Sequence, residues 1–172
     1  SGRRCWTGWA AWRREAKAWG QHAAPREREG IYGDSAPRCK ELLEAFYGPH
    51  FKAVFDFANF VQVGQQTLPA YELLKPYVEY VHVKDAQWGT GAVVPAGQGD
   101  GHVKEILTDL IGGGWKGFLS LEPHLTDFAG LAALEQDPQK RGSALDGKSA
   151  WKLALDSLQE ILAGIPQAKE AL

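Results

Sequence analysis

Three short β-prone runs, each closing on a cluster of ionisable residues and separated from the next by helical text, constrain this chain most. Residues 51–56 (Phe-Lys-Ala-Val-Phe-Asp) end in the carboxylate of Asp56, and residues 78–83 (Val-Glu-Tyr-Val-His-Val) carry His82 and run into Lys84 and Asp85. Residues 117–122 (Gly-Phe-Leu-Ser-Leu-Glu) end on Glu122, with Pro123 and His124 behind it. All three read as strands, the second the most clearly by its β-branched and aromatic content. Between them the apolar spacing changes to a helical period. Ser35 or Asp34 can cap a helix with Pro37 in its first turn and Leu42, Leu43 and Phe46 on one face, stopping at Gly48-Pro49. A second helix is expected from about Pro69 to Leu74, ending near Pro76, and a third from about His102 to Ile111, stopped by Gly112-Gly113-Gly114. A Gly/Pro-rich loop covers residues 88–101, and residues 126–147 read as a long polar loop. The last helix runs from about Ser149 to Leu162, with Trp151, Leu155, Leu158 and Leu162 assigned to its apolar face. Helical crossovers leave no room for hairpins between the three strands, so they should lie parallel in an α/β fold.

In parallel α/β folds the carboxyl ends of the strands form the active site. Alone, His82 would read as a core histidine and Asp56 as a turn or cap carboxylate. At three successive strand ends, however, Asp56, His82 and Glu122 supply two hard oxygens and an imidazole to one place. That donor set suits a divalent ion such as Mn²⁺, Mg²⁺, Co²⁺ or Zn²⁺.

Bulk properties narrow the partners. The 172 residues are 44% hydrophobic and 23% charged, which is enough apolar content for a real core. A formal charge of −2 gives no broad electrostatic reason to expect nucleic acid or an anionic membrane. No apolar run approaches a membrane span, and no apolar stretch follows the early arginines as a secretory signal would require. Cys5 and Cys39 do not form a disulfide framework, so a cytoplasmic location is expected.

The text changes character near residue 30. Residues 1–29 hold four of the seven tryptophans (Trp6, Trp9, Trp12, Trp19) amid Arg, Ala and Gly, with neither helical nor strand periodicity. No methionine occurs anywhere, so the chain is expected to be a piece of a longer product. One permitted back-translation of residues 23–30, read one nucleotide out of phase, gives Leu-Leu-His-Glu-Asn-Glu-Lys, an apolar run with a polar end like the other strands. Residues 1–29 are therefore expected to be an aberrant, out-of-frame segment, and residues 30–172 the evolved domain.

Across about residues 30–165 the motifs resemble those of the xylose-isomerase-like TIM barrels, the sugar phosphate isomerase/epimerase group. The resemblance is carried by residues 31–34 (Ile-Tyr-Gly-Asp), 54–60 (Val-Phe-Asp-Phe-Ala-Asn-Phe), 80–85 (Tyr-Val-His-Val-Lys-Asp), 95–100 (Pro-Ala-Gly-Gln-Gly-Asp) and 119–124 (Leu-Ser-Leu-Glu-Pro-His). It implies the C-terminal half of a (β/α)₈ barrel, with the first four or so βα units absent. It also implies Asp56, His82 and Glu122 as metal ligands, Glu122 doubling as the catalytic acid/base. Asn59, Lys84, Asp85 and His124 fall at substrate-contacting positions. A fourth ligand, the family's second catalytic glutamate, is implied on the strand before Ile31, where this chain has Arg26. The implied chemistry is proton transfer at a carbon next to a carbonyl, assisted by the metal, on a small sugar or polyol. The intact parent would be a possible homo-oligomer.

Three other functions compete. Zinc-dependent AP endonucleases share the barrel, but they need more histidines than the five present and a basic groove that a charge of −2 does not provide. A dehydratase-type lyase acting on a cyclic polyol could use the same ligands. An inactive or partner-binding fragment is the third, since half a barrel leaves two sheet edges open and its core uncovered.

Overall fold

The computed structural model describes residues 33–126 and 145–170. The segment 1–29, with Arg26 and its four tryptophans, lies outside the described residues, as does residues 127–144 of the polar loop.

The chain alternates helices and strands: α1 (Ala36–Phe46), β1 (Ala53–Asp56), α2 (Phe57–Gln62), α3 (Thr67–Leu74), a 3₁₀ turn (Lys75–Tyr77), β2 (Val78–Val83), β3 (Asp85–Ala86), β4 (Val93–Val94), α4 (Val103–Gly112), β5 (Phe118–Leu121), α5 (Gly147–Ala163) and a closing 3₁₀ turn (Pro166–Glu170). The strands β1, β2 and β5 form one sheet in that order, with parallel pairing throughout. All three expected strands are present: β2 has the expected bounds, while β1 and β5 are shorter than expected. Phe51 instead makes an isolated bridge to Gly48 ahead of β1. Two elements were not legible: the six-residue helix α2, and the antiparallel hairpin in which Asp85 and Ala86 pair with Val94 and Val93.

Local chemistry sets these boundaries. Ser35 caps α1 in extended backbone without a side-chain bond; Asp34 turns to Arg38 at 2.7 Å, and Gln65 Oε1 takes the free Ala36 N–H at 3.0 Å. Between β1 and β2 the crossover buries Phe55, Phe57, Phe60 and Tyr71 in one aromatic cluster, with Phe55 5.0–5.8 Å from the other three ring centres. On α4, Val103, Ile106, Leu107 and Leu110 face the same core. Asp109 on that helix accepts hydrogen bonds from Tyr71 and from Lys75 at 2.5 Å, tying α4 to α3. Trp115 fixes the approach to β5 by donating from Nε1 to the Val78 carbonyl at 2.8 Å.

The face of α5 departs from expectation. Its buried residues are Ala150, Ala154, Ser157, Leu158, Ile161 and Leu162, whereas Trp151 and Leu155 are 54% and 44% exposed. Ala150 and Ala154 meet Val93 and Leu125, where small side chains let the helix approach the hairpin closely. Along the sheet, β1 is wholly buried, while β5 is half-open and begins with Phe118 at 75% exposure. Among the described residues no helix is long and apolar enough to cross a membrane.

Candidate active site

Strand register assembles the site. Asp56, the last residue of β1, is the direct partner of His82 on β2, and His82 is the partner of Ser120 on β5. Glu122 lies just past β5, and its N–H continues the ladder to the Val83 carbonyl at 3.2 Å. Pleating sends alternate side chains to opposite faces, so Asp56 and His82, as partners, share a face. One ligand atom from each of Asp56, His82 and Glu122 lies within 4.8 Å of the others. His82 Nδ1 is 3.8 Å from Asp56 Oδ2 and 3.6 Å from Glu122 Oε2. Tyr80, two residues back on the same face, sets its ring edge-on to the imidazole at 5.1 Å.

Asp56 serves two structures at once. Its Oδ1 caps α2 by accepting the Asn59 N–H at 3.0 Å, which leaves Oδ2 turned toward His82. The carboxylate is completely buried. His82 Nδ1 is buried as well and, among the described residues, has no hydrogen-bond partner. A buried polar nitrogen left unpaired costs free energy, and such an atom calls for an explanation. Two carboxylate oxygens and an orphaned imidazole nitrogen facing one another fit a divalent cation by the chemistry of the donors.

Lys84 also enters the cluster. Its ammonium, only 4% exposed, donates to Asn59 Oδ1 at 2.8 Å and lies 3.4 Å from Asp56 Oδ2 and 3.7 Å from Glu122 Oε2. Sequence reasoning placed Lys84 among substrate contacts without anticipating this burial. The signal was present in the alternation of residues 80, 82 and 84.

Asp85 has the opposite parity and does not join the cluster. It is fully buried, accepting Ala86 N and Gly101 N on Oδ1 and Gly97 N and Gly99 N on Oδ2, all at 2.9–3.0 Å. Burial pushes its carboxyl above the usual range, against the pull of these four N–H groups. Two of these glycines, Gly99 and Gly101, are explained by the same contacts. A Cβ on Gly99 or Gly101 would stand 2.5 or 2.6 Å from Asp85 Oδ1. The loop so fastened lends Trp88, Asp100 and His102 to a cavity of about 500 Å³ that also touches Gln66, Thr67, Leu68 and Pro69. His124 sits in left-handed backbone (φ 46°), two residues beyond Glu122, and is half-buried.

The xylose isomerase-like TIM barrel family matches residues 21–161. The chain belongs to that family. This match starts inside the segment set apart in the sequence, nine residues before Gly30. Parallel strands, helical crossovers and an incomplete barrel agree with this membership. No curated protein matches the chain.

Solved structures share the fold. A xylose isomerase domain protein from Planctomyces limnophilus aligns with a TM-score of 0.57 at 23% identity, covering 84% of this chain and 47% of its own. A D-tagatose 3-epimerase-like protein gives 0.60 at 16% identity, covering 89% and 51%. A probable 3-DHS dehydratase from Bacillus anthracis gives 0.55 at 19% identity, covering 66% and 48%. The chain thus spans about half the length of these barrels.

Proposed function

We propose that this family member is part of a sugar isomerase or epimerase that moves a proton at a carbon next to a carbonyl, with Asp56, His82 and Glu122 holding a divalent ion. The observation that carries this reading is the convergence of the three donors, with a buried His82 Nδ1 that has no hydrogen-bond partner among the described residues. When bound, the ion supplies positive charge to the oxygens of a carbonyl or enediolate.

The remaining chemistry falls to the chain's own residues. Glu122 is the base at the sugar carbon, taking the proton onto a carboxylate oxygen and returning it. Its side chain is 25% exposed, against none for Asp56, so of the two carboxylates it is the one that reaches substrate. Asn59 and Lys84 border the same cluster and orient substrate oxygens. His124 follows Glu122 on the same loop. Asp85 acts at one remove, by shaping residues 97–101. Exchange on both faces of a sugar carbon requires a second base, and the described residues provide Glu122 alone in this cluster. A dehydratase acting on a cyclic polyol would use the same donors, and the 3-DHS dehydratase shares this fold.

The test is a Mn²⁺ titration of the chain by calorimetry, together with deuterium exchange from solvent into ketoses and cyclic polyols. Metal binding that is lost in Asp56→Asn and His82→Ala, with exchange lost in Glu122→Gln, is the expected pattern. Elimination of water without prior exchange would favour the lyase. A folded chain that binds no divalent ion would refute the proposal.

A further inference from the structure

Asp56 Oδ2 and Glu122 Oε2 each face two nitrogens. They lie 3.8 and 3.6 Å from His82 Nδ1, and 3.4 and 3.7 Å from Lys84 Nζ. The oxygens that would ligate a metal are therefore the oxygens already facing an ammonium. Lys84 is 4% exposed, which is unusual for a residue whose only task is to greet an incoming substrate. It is also tethered, because Asn59, fixed one helical turn past Asp56 by the cap on α2, accepts from its ammonium at 2.8 Å.

We infer that Lys84, held by Asn59, is a built-in counter-ion of the donor cluster and a competitor of the metal. This rests on the proposed Asp56–His82–Glu122 metal site. Without metal, two carboxylates brought to one place would repel each other, and Lys84 supplies the charge that keeps them together. An incoming divalent ion must share those oxygens with the ammonium or push it aside. Like charges a few ångströms apart in a site of reduced dielectric repel strongly. Lys84 therefore lowers affinity for metal while keeping the empty site assembled. Both effects come from charge and position.

The experiment compares wild type, Lys84→Met, Lys84→Arg and Asn59→Ala by Mn²⁺ calorimetry and by melting with and without Mn²⁺. Lys84→Met should bind Mn²⁺ about tenfold tighter or more, since a unit charge facing the ion has been removed. Its metal-free form should melt lower, and Mn²⁺ should raise its melting temperature more than that of wild type. Lys84→Arg, which keeps the charge, should stay near wild type. Asn59→Ala should tighten binding by a smaller factor, because it frees the ammonium without deleting it. This variant serves as the test should Lys84→Met fail to fold, since the cap on Asp56 comes from the backbone of residue 59. Measurable wild-type binding with equal or weaker affinity in Lys84→Met and Asn59→Ala would overturn the inference and leave the metal site standing. No binding in any folded variant would overturn both. Binding in Lys84→Met alone would support the inference in its strongest form.

Discussion

His82 Nδ1 stands 3.8 Å from Asp56 Oδ2 because the two residues are register partners on adjacent parallel strands. The site thus rests on the backbone ladder, with its third donor, Glu122, one step beyond β5. Among the described residues the buried Nδ1 accepts or donates no hydrogen bond, so it adds no hydrogen-bond stabilisation to offset its burial in the metal-free chain. His82→Phe, which keeps a flat ring against Tyr80, should therefore leave the melting temperature unchanged or raise it. It should also weaken Mn²⁺ binding by about 100-fold or more, at least the loss seen when a mere supporting residue is removed. A clear fall in metal-free stability would mean that His82 has a structural partner.

Asp85 accepts two N–H groups on each oxygen, so Asp85→Asn is conservative only in shape. Its new NH₂ would face two donors, whichever way the amide is turned. Leaving two donors without acceptors should cost about 2–6 kcal/mol, at about 1–3 for each. Gly99→Ala and Gly101→Ala should perturb the same loop by pressing a methyl against the Asp85 carboxylate. Urea denaturation would check the first. Amide exchange at Gly97, Gly99 and Gly101 would check all three, and unchanged protection would remove Asp85 from its proposed positioning role.

The acid limb of stability should depend on Asp109. The hydrogen bond from Lys75, followed by that from Tyr71, holds its carboxyl below the usual range. A carboxyl with a lowered folded value binds protons less readily in the native state than in the unfolded one. It therefore contributes stability above the unfolded value of about 3.9, and that contribution is lost as pH falls through the folded value. Thermal melts from pH 6 down to about 2 should fall less steeply for Asp109→Asn than for wild type. The group is half exposed, so solvent screening keeps the difference small. Parallel curves would show that Asp109 does not drive the acid limb.

Strand order and direction were legible because each run is short, apolar or aromatic, closed by a polar end and separated from the next by helical spacing. Asp56, His82 and Glu122 were legible as a group because strand ends in such a fold share one rim. Side-chain parity carries the further signal that His82 and Lys84 turn one way and Asp85 the other. The dual use of Asp56 was harder to see, since α2 is too short to show a period, and only the Asp56–Asn59 spacing hints at its cap. On α5 the large residues misled. Trp151 and Leu155 suggested the buried face, but close approach to the hairpin selects Ala150 and Ala154.

That contrast between size and burial yields a final prediction, on stability. Phe55 is completely buried at the centre of the aromatic cluster, within 5.0–5.8 Å of Phe57, Phe60 and Tyr71. Phe55→Ala removes most of a ring from a site that strands and helices surround, so little collapse can fill the void. The cost should be about 3–5 kcal/mol. A domain of this kind has roughly 5–15 kcal/mol in all, so the substitution should remove a large share of its stability. Trp151→Ala removes a larger side chain from an exposed position on α5, and it should change stability by no more than about 0.5 kcal/mol. Urea denaturation followed by far-ultraviolet circular dichroism compares the two without relying on tryptophan emission. If Trp151→Ala proved as damaging as Phe55→Ala, the exposed face of α5 would have to be packed in solution and the arrangement described for that helix would be wrong.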